Sequence, residues 1–152
     1  MRWRVLGGTG AAVVATAVVG AAAVEADGSW FRGLRKPRWQ PPPAVFGPVW
    51  TALYADIAVA SAAALSRVPR GSRYVPALAA NLVLNAGWTW VFWGARRPWS
   101  AAAEAGALTA SSVDLLARTA RVDSRAGAAL APYVAWCAFA TALSAEIARR
   151  NP

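Results

Sequence analysis

The sequence predicts an all-α membrane protein, a bundle of five transmembrane helices forming one domain over residues 1–152. Three observations carry that prediction. The chain is 57% hydrophobic with only 15% charged residues, a combination that a soluble domain of this size rarely shows. Its apolar residues gather into five runs near the roughly 20 residues a helix needs to cross a bilayer core. Small groups of Arg separate those runs, marking returns to water.

The first span covers residues 5–24 and contains no charge. Arg2 and Arg4 precede it, and Val24-Glu25-Ala26 resembles a cleavage site, so a signal peptide is the alternative. An apolar stretch longer than the usual 7 to 15 residues of a signal core favours a span. The second span, residues 44–65, holds one acid, Asp56. The third, residues 74–95, is uncharged and rich in aromatics. The fourth, residues 99–117, is the most polar, with Glu104 and Asp114 inside it. The fifth, residues 126–148, holds only Glu146, near its end, and Pro132 is read as a kink within it.

The first connection, residues 25–43, differs from the others. It contains Trp30, Phe31 and Trp39 and ends in Lys36-Pro37-Arg38-Trp39-Gln40-Pro41-Pro42-Pro43. Aromatics and a stiff proline run argue against disorder, and a long loop in a compact domain usually has a function. An ordered lid over one end of the bundle is expected.

The formal charge is +9, yet the basic residues, fifteen Arg and Lys36, are dispersed between apolar runs. That is the pattern of interfacial anchors, and it argues against a nucleic-acid partner. Orientation stays open. The N-terminus with connections two and four carries eight basic residues, and the opposite face also carries eight. There is no His, and Cys137 is alone. No disulfide, metal cluster, phosphate loop or nucleophile–base pair can be assembled. Without His, tight ligation of a haem iron would fall to Cys137, a Tyr or Met1.

Nine Trp need explaining. Trp3, Trp30, Trp39 and Trp99 fall at span ends or in the lid, where they would anchor the interface. Trp50, Trp88, Trp90, Trp93 and Trp136 fall within spans, where each indole N–H requires a partner that hydrocarbon cannot supply. At 100° per residue Asn81, Asn85, Trp88 and Phe92 form one stripe, Trp50, Tyr54, Ile57 and Ser61 a second, and Tyr133, Trp136, Ala140 and Leu143 a third. Such stripes are either helix contacts, with the amides bonded across the bundle, or walls of a pocket for a flat apolar ligand. Asp114 has Arg118 four residues on, as a local ion pair requires. Asp56 lies about 120° from Trp50 around its helix and is assigned to stabilising the bundle.

Trp30-Phe31 followed by Leu34, Lys36-Pro37, Trp39, Pro41-Pro42, then Phe46-Gly47-Pro48-Val49-Trp50-Thr51 and Leu53-Tyr54 resembles the signature of the TspO/MBR family. Its members are also called tryptophan-rich sensory proteins, translocator proteins or peripheral benzodiazepine receptors. Leu84-Asn85, Trp88, Phe92, Gly94-Ala95-Arg96, Pro132-Tyr133, Trp136, Phe139-Ala140 and Leu143 extend the likeness into the later spans.

The resemblance implies a five-helix bundle, usually a homodimer, that binds porphyrins such as protoporphyrin IX or haem and, in some members, sterols and synthetic isoquinolines. It places the pocket under the first loop, lined by Trp39, Phe46, Trp50, Tyr54, Asn85, Trp88, Trp99, Trp136 and Ala140, with Trp30, Asn81, Phe92 and Phe139 as further candidates. A multi-pass protein of a bacterial cell envelope membrane is expected. Ala145 stands where the sterol-recognition pattern of animal members has Tyr, although Arg149 matches its Arg, so sterol is not the expected ligand. Ser144 and Asn81 replace the family's common Asn and Gln with shorter hydrogen-bonding side chains. Three roles follow: a tetrapyrrole-binding sensor first, then an enzyme promoting porphyrin breakdown in light and oxygen, then a transporter. Neither inverted repeats nor paired broken helices support the last.

Overall fold

The computed structural model describes residues 2–152, and every described regular element is helical. In chain order they are α1 (Trp3–Ala21), α2 (Ser29–Gly33), α3 (Pro43–Leu65), α4 (Tyr74–Thr89), a π-helical turn (Trp90–Gly94), α5 (Pro98–Val122), α6 (Ser124–Ala129) and α7 (Ala131–Arg150). Four stretches are long and apolar enough to cross a membrane: α1, α3, α4 with its π turn, and the α6–α7 run Ser124–Arg150. The fifth long helix, α5, has 25 residues, about 37 Å at 1.5 Å per residue, but is more polar than the others.

Prolines set several boundaries. Pro43 and Pro98 stand in the first turns of α3 and α5, where a missing N–H costs nothing and the fixed φ suits a helix. Pro132 does the same for α7. The run Ser124–Arg150 remains one candidate span, interrupted at Leu130, two residues before Pro132, where the sequence placed a kink. Gly127 explains part of that break: a Cβ there would sit 2.5 Å from the Cα of Ala120, so α6 can fold back on the end of α5 only with glycine at the crossing. Asp123 caps α6 by accepting hydrogen bonds from the backbone N–H groups of Arg125 (3.1 Å) and Ala126 (3.0 Å).

The polar α5 makes sense from what it buries. Ala101, Ala105, Leu108, Ser112, Leu115 and Thr119 are buried at alternating spacings of four and three, and Tyr133, Cys137, Ala140, Ser144 and Ile147 repeat the pattern on α7. A 3.5-residue period is the seam of two closely packed helices, and small side chains let the backbones approach. Thr109 and Thr141 hydroxyls meet across this seam at 2.9 Å. The low hydropathy of α5 comes mainly from Glu104, Asp114, Arg118 and Arg121, while its small Ser and Thr groups serve helix contact.

α1 packs on α3 and α4, α4 on α5, and α5 on α7, while α3 meets α7 sparsely, partly through α6. Thr9 Oγ1 donates to the Ala58 carbonyl at 2.9 Å and Trp90 Nε1 to the Val19 carbonyl at 2.9 Å, which makes α1 a working wall of the bundle. Its outer face, with Val14 and Val18, is exposed, as expected of a helix turned toward lipid. Asp114 pairs with Arg118 at 2.6 Å, the local pair the spacing predicted.

Candidate functional site

Between α1, α3, α4 and α7, beneath the lid, lies a cavity of about 560 Å³. α3 supplies Phe46, Trp50, Thr51 and Tyr54. α4 and its π turn supply Asn85, Trp88, Thr89, Phe92 and Trp93. α7 supplies Leu143, Ser144 and Ile147, α1 the small residues Ala17, Gly20 and Ala21 with Val24, and the lid Ala26, Phe31 and Gln40. None of these side chains carries a full charge.

The rings form a continuous tilted series. Trp50 lies 5.4 Å from Tyr54 and 6.4 Å from Trp88, and Trp88 lies 6.3 Å from Phe92, with interplanar angles of 30°, 38° and 33°. A flat apolar molecule finds ring faces here and little competition from water. The few polar atoms in the wall are mostly committed. Tyr54 Oη donates to Asn85 Oδ1 at 2.8 Å, and Trp88 Nε1 donates to Ser144 Oγ at 3.3 Å. That second bond gives a within-span indole its required partner.

Below the floor the bonding continues. Asn85 Nδ2 donates to Tyr133 Oη (3.1 Å), which donates to Asn81 Oδ1 (2.8 Å). Asn81 Nδ2 donates in turn to Ser111 (3.2 Å) and Ser112 (3.1 Å). One chain of buried polar groups thus ties α3, α4, α7 and α5 together and holds the Tyr54–Asn85 edge of the cavity in place. Where every member is bonded, such a network specifies one arrangement of helices.

The lid is ordered by contacts at both of its ends. Phe31 packs 4.4 Å from Trp93 and 6.3 Å from Phe92, and Trp30 lies 5.6 Å from Phe92. Lys36 Nζ hydrogen-bonds the Phe31 carbonyl and sits 4.2 Å over its ring. Arg96 reaches Glu25 at 3.4 Å and stands 5.8 Å over Trp30. Its own backbone is left-handed, with φ 55°, a strained conformation for a residue with a Cβ. That turn both starts the approach to α5 and aims the guanidinium at the lid. Asn151, just past α7, accepts from the Arg35 N–H at 2.9 Å and donates to the Arg35 carbonyl at 3.0 Å.

Of the candidates read from the sequence, Phe46, Trp50, Tyr54, Asn85, Trp88 and Phe92 stand in the cavity wall. Trp136 lies behind Phe46, ring to ring at 5.7 Å, and Phe139 lies between Trp136 (5.2 Å) and Trp39 (5.7 Å). Trp30 backs Phe92, Asn81 belongs to the bonded chain below the floor, and Ala140 is buried behind the wall. Trp39 is 49% exposed, and Trp99 is 59% exposed at the start of α5, which contributes nothing to the wall. Asp56, assigned to stabilising the bundle, lies off the cavity, and its buried Oδ2 meets no donor among the described residues. Cys137 is buried in the α5–α7 seam, 3.6 Å from Ser112 Oγ, and Met1 lies outside the described residues. Among those residues no cluster of His, Cys, Asp and Glu is placed to hold a metal ion.

Sequence reasoning missed the α1 wall, Phe31, Gln40 and Asn151. The α1 residues are small and apolar like their lipid-facing neighbours, so nothing in their chemistry singles them out. Asn151 bonds a residue 116 positions away, beyond the reach of any local pattern.

The TspO/MBR family model matches residues 9–150. The chain is 34% identical over 128 residues to the tryptophan-rich protein TspO of Chlorobaculum tepidum, covering 82% of this chain and 81% of that one. It is 32% identical over 122 residues to the tryptophan-rich sensory protein of Cereibacter sphaeroides, covering 80% and 77%. It is 32% identical over 143 residues to the human translocator protein, covering 88% and 82%. A helical membrane protein with this lid, this ring-lined cavity and these relatives belongs to the TspO/MBR family.

Proposed function

We propose that this protein is a membrane-embedded binding protein for a tetrapyrrole, protoporphyrin IX or haem, or a molecule of like shape, and that occupancy serves a sensing or regulatory role. The observation that carries the reading is the uncharged cavity walled by Trp50, Trp88 and Phe92 and closed by an ordered lid. Its volume of about 560 Å³ falls inside the roughly 300–1,000 Å³ range of small-molecule sites. The name of one relative, a sensory protein, agrees with that role, while that of another, a translocator protein, keeps passage of the ligand as the alternative outcome. The wall offers no general acid–base pair, which favours binding over catalysis.

The same proposal includes five crossings, with α5 as the fifth. Its length suffices, and its Thr109, Ser111, Ser112 and Thr119 bond residues of α4 and α7. It also includes pairing of two copies, read by the mass of the detergent-solubilised protein, and residence in a bacterial envelope membrane. The test of the central reading is a porphyrin titration in detergent followed by quenching of tryptophan fluorescence. Trp88→Ala and Trp50→Ala should each weaken binding about fivefold or more, the value of one lost stacking partner at roughly 1–3 kcal/mol, with helicity unchanged. Equal affinity in the parent and both variants would refute the site.

A further inference from the structure

The lid itself carries a second, open depression. A vestibule of about 450 Å³, more open than the main cavity, is walled by Asp27, Arg32, Lys36 and the proline run Pro41–Pro43. Ala26, Phe31, Gln40 and Pro43 belong to the walls of both spaces, and of these four only Phe31 and Gln40 have long side chains to form the partition between them. The two compartments differ in chemistry. The inner wall carries no full charge, whereas the vestibule carries two cations against one acid.

Three details mark the partition as a passage for part of a ligand. Gln40 Oε1 is buried and has no hydrogen-bond partner among the described residues, an uncompensated loss that a ligand group would repair. A primary amide offers both a donor and an acceptor to such a group. Lys36 is held over the Phe31 ring by a single hydrogen bond to the Phe31 carbonyl, which leaves two of its N–H donors unspent. Arg32 is exposed and makes no ion pair among the described residues, although Arg35, on the same short segment, is latched through its backbone to Asn151.

We propose that the vestibule is a carboxylate subsite, so that the ligand is an amphiphile: its flat apolar body lies in the inner cavity and an anionic arm passes between Phe31 and Gln40 to Arg32 and Lys36. This rests on the cavity being a ligand site, and it adds a selection rule to that reading. The rings accept any flat apolar body, and the vestibule selects those with an acidic arm. Guanidinium is the cation suited to a carboxylate because it can offer two parallel N–H donors. Asp27 would repel a second acid group and so limits the subsite to one.

The test compares protoporphyrin IX, a dicarboxylate, with its dimethyl ester, titrated into the full-length protein in neutral detergent. The parent should prefer the free acid, and Arg32→Gln should lower affinity for the free acid about fivefold, the scale of one charge-assisted bond at a half-open site, while leaving the ester unchanged. Arg35→Gln, which removes a neighbouring charge outside the vestibule wall, should alter neither. Raising the salt concentration should weaken the free acid in the parent more than in Arg32→Gln. If Arg32→Gln changes both probes alike or neither, the subsite is refuted while the cavity reading survives. If the parent binds neither probe, the cavity reading itself fails.

Discussion

Replacing Tyr133 by Phe removes one oxygen from the centre of the bundle. That oxygen donates to Asn81 Oδ1 at 2.8 Å and accepts from Asn85 Nδ2 at 3.1 Å, and all three side chains are buried. Two interhelical hydrogen bonds at an average near 0.6 kcal/mol account for about 1.2 kcal/mol. Leaving buried amide groups on Asn81 and Asn85 without a partner adds on the order of 1 kcal/mol, since no water replaces the phenol. The expected loss is thus about 2 kcal/mol, roughly thirtyfold in the unfolding equilibrium. Unfolding in mixed micelles of a mild detergent and increasing dodecyl sulfate, followed by circular dichroism, measures it. Tyr54→Phe is the comparison: it removes a single bond, to Asn85 Oδ1 at 2.8 Å, at the cavity edge, and should cost less than half as much. A Tyr133→Phe variant within about 0.3 kcal/mol of the parent, below half the average value of one such bond, would refute the claim that this network ties the helices together.

Gly127→Ala should destabilise by roughly 1–3 kcal/mol in the same assay, because its Cβ would strike the backbone of Ala120. Gly87→Ala should cost far less, since there the new Cβ meets only the end of the flexible Glu104 side chain. Asn151→Ala removes the latch to Arg35 and should raise deuterium exchange across the lid and speed porphyrin dissociation while leaving the helices protected. Asp123 has its carboxyl held below the ordinary value, first by the Ala126 backbone N–H and also by Arg67. A depressed folded-state value contributes stability above the unfolded value, near pH 4, and loses it as pH falls through the folded value. Acid titration of stability should therefore show a loss below about pH 4 that is smaller in Asp123→Asn.

The three stripes were legible because a straight helix repeats every 3.6 residues, so Trp50 and Tyr54, or Asn85 and Trp88, had to share a face. The reading weakens where the helix departs from that period. The π turn Trp90–Gly94 changes the register at the end of the third span, and Trp93, about 140° from Trp88 in a straight helix, joins Trp88 and Phe92 in the cavity wall. The break at Leu130 was legible in part: Pro132 marked an interruption of the apolar run, whereas the role of Gly127 shows only in its approach to Ala120. The likeness to the family supplied Trp39 and Trp99, and the third stripe together with that likeness supplied Trp136, as candidate lining residues; here they stand behind or outside the wall. The reverse holds for Phe31 and Gln40, whose importance comes from lying between two compartments, a property of the folded lid.

The most direct measurement is an experimental structure of the protein with protoporphyrin IX bound. The account predicts density for one flat ring system between α3 and α4, beside Trp50 and Trp88 and beneath Phe31, with one propionate directed past Gln40 toward Arg32. A porphyrin resting on the outer faces of the helices, with the inner cavity filled by Trp50 or Trp88 instead, would contradict it.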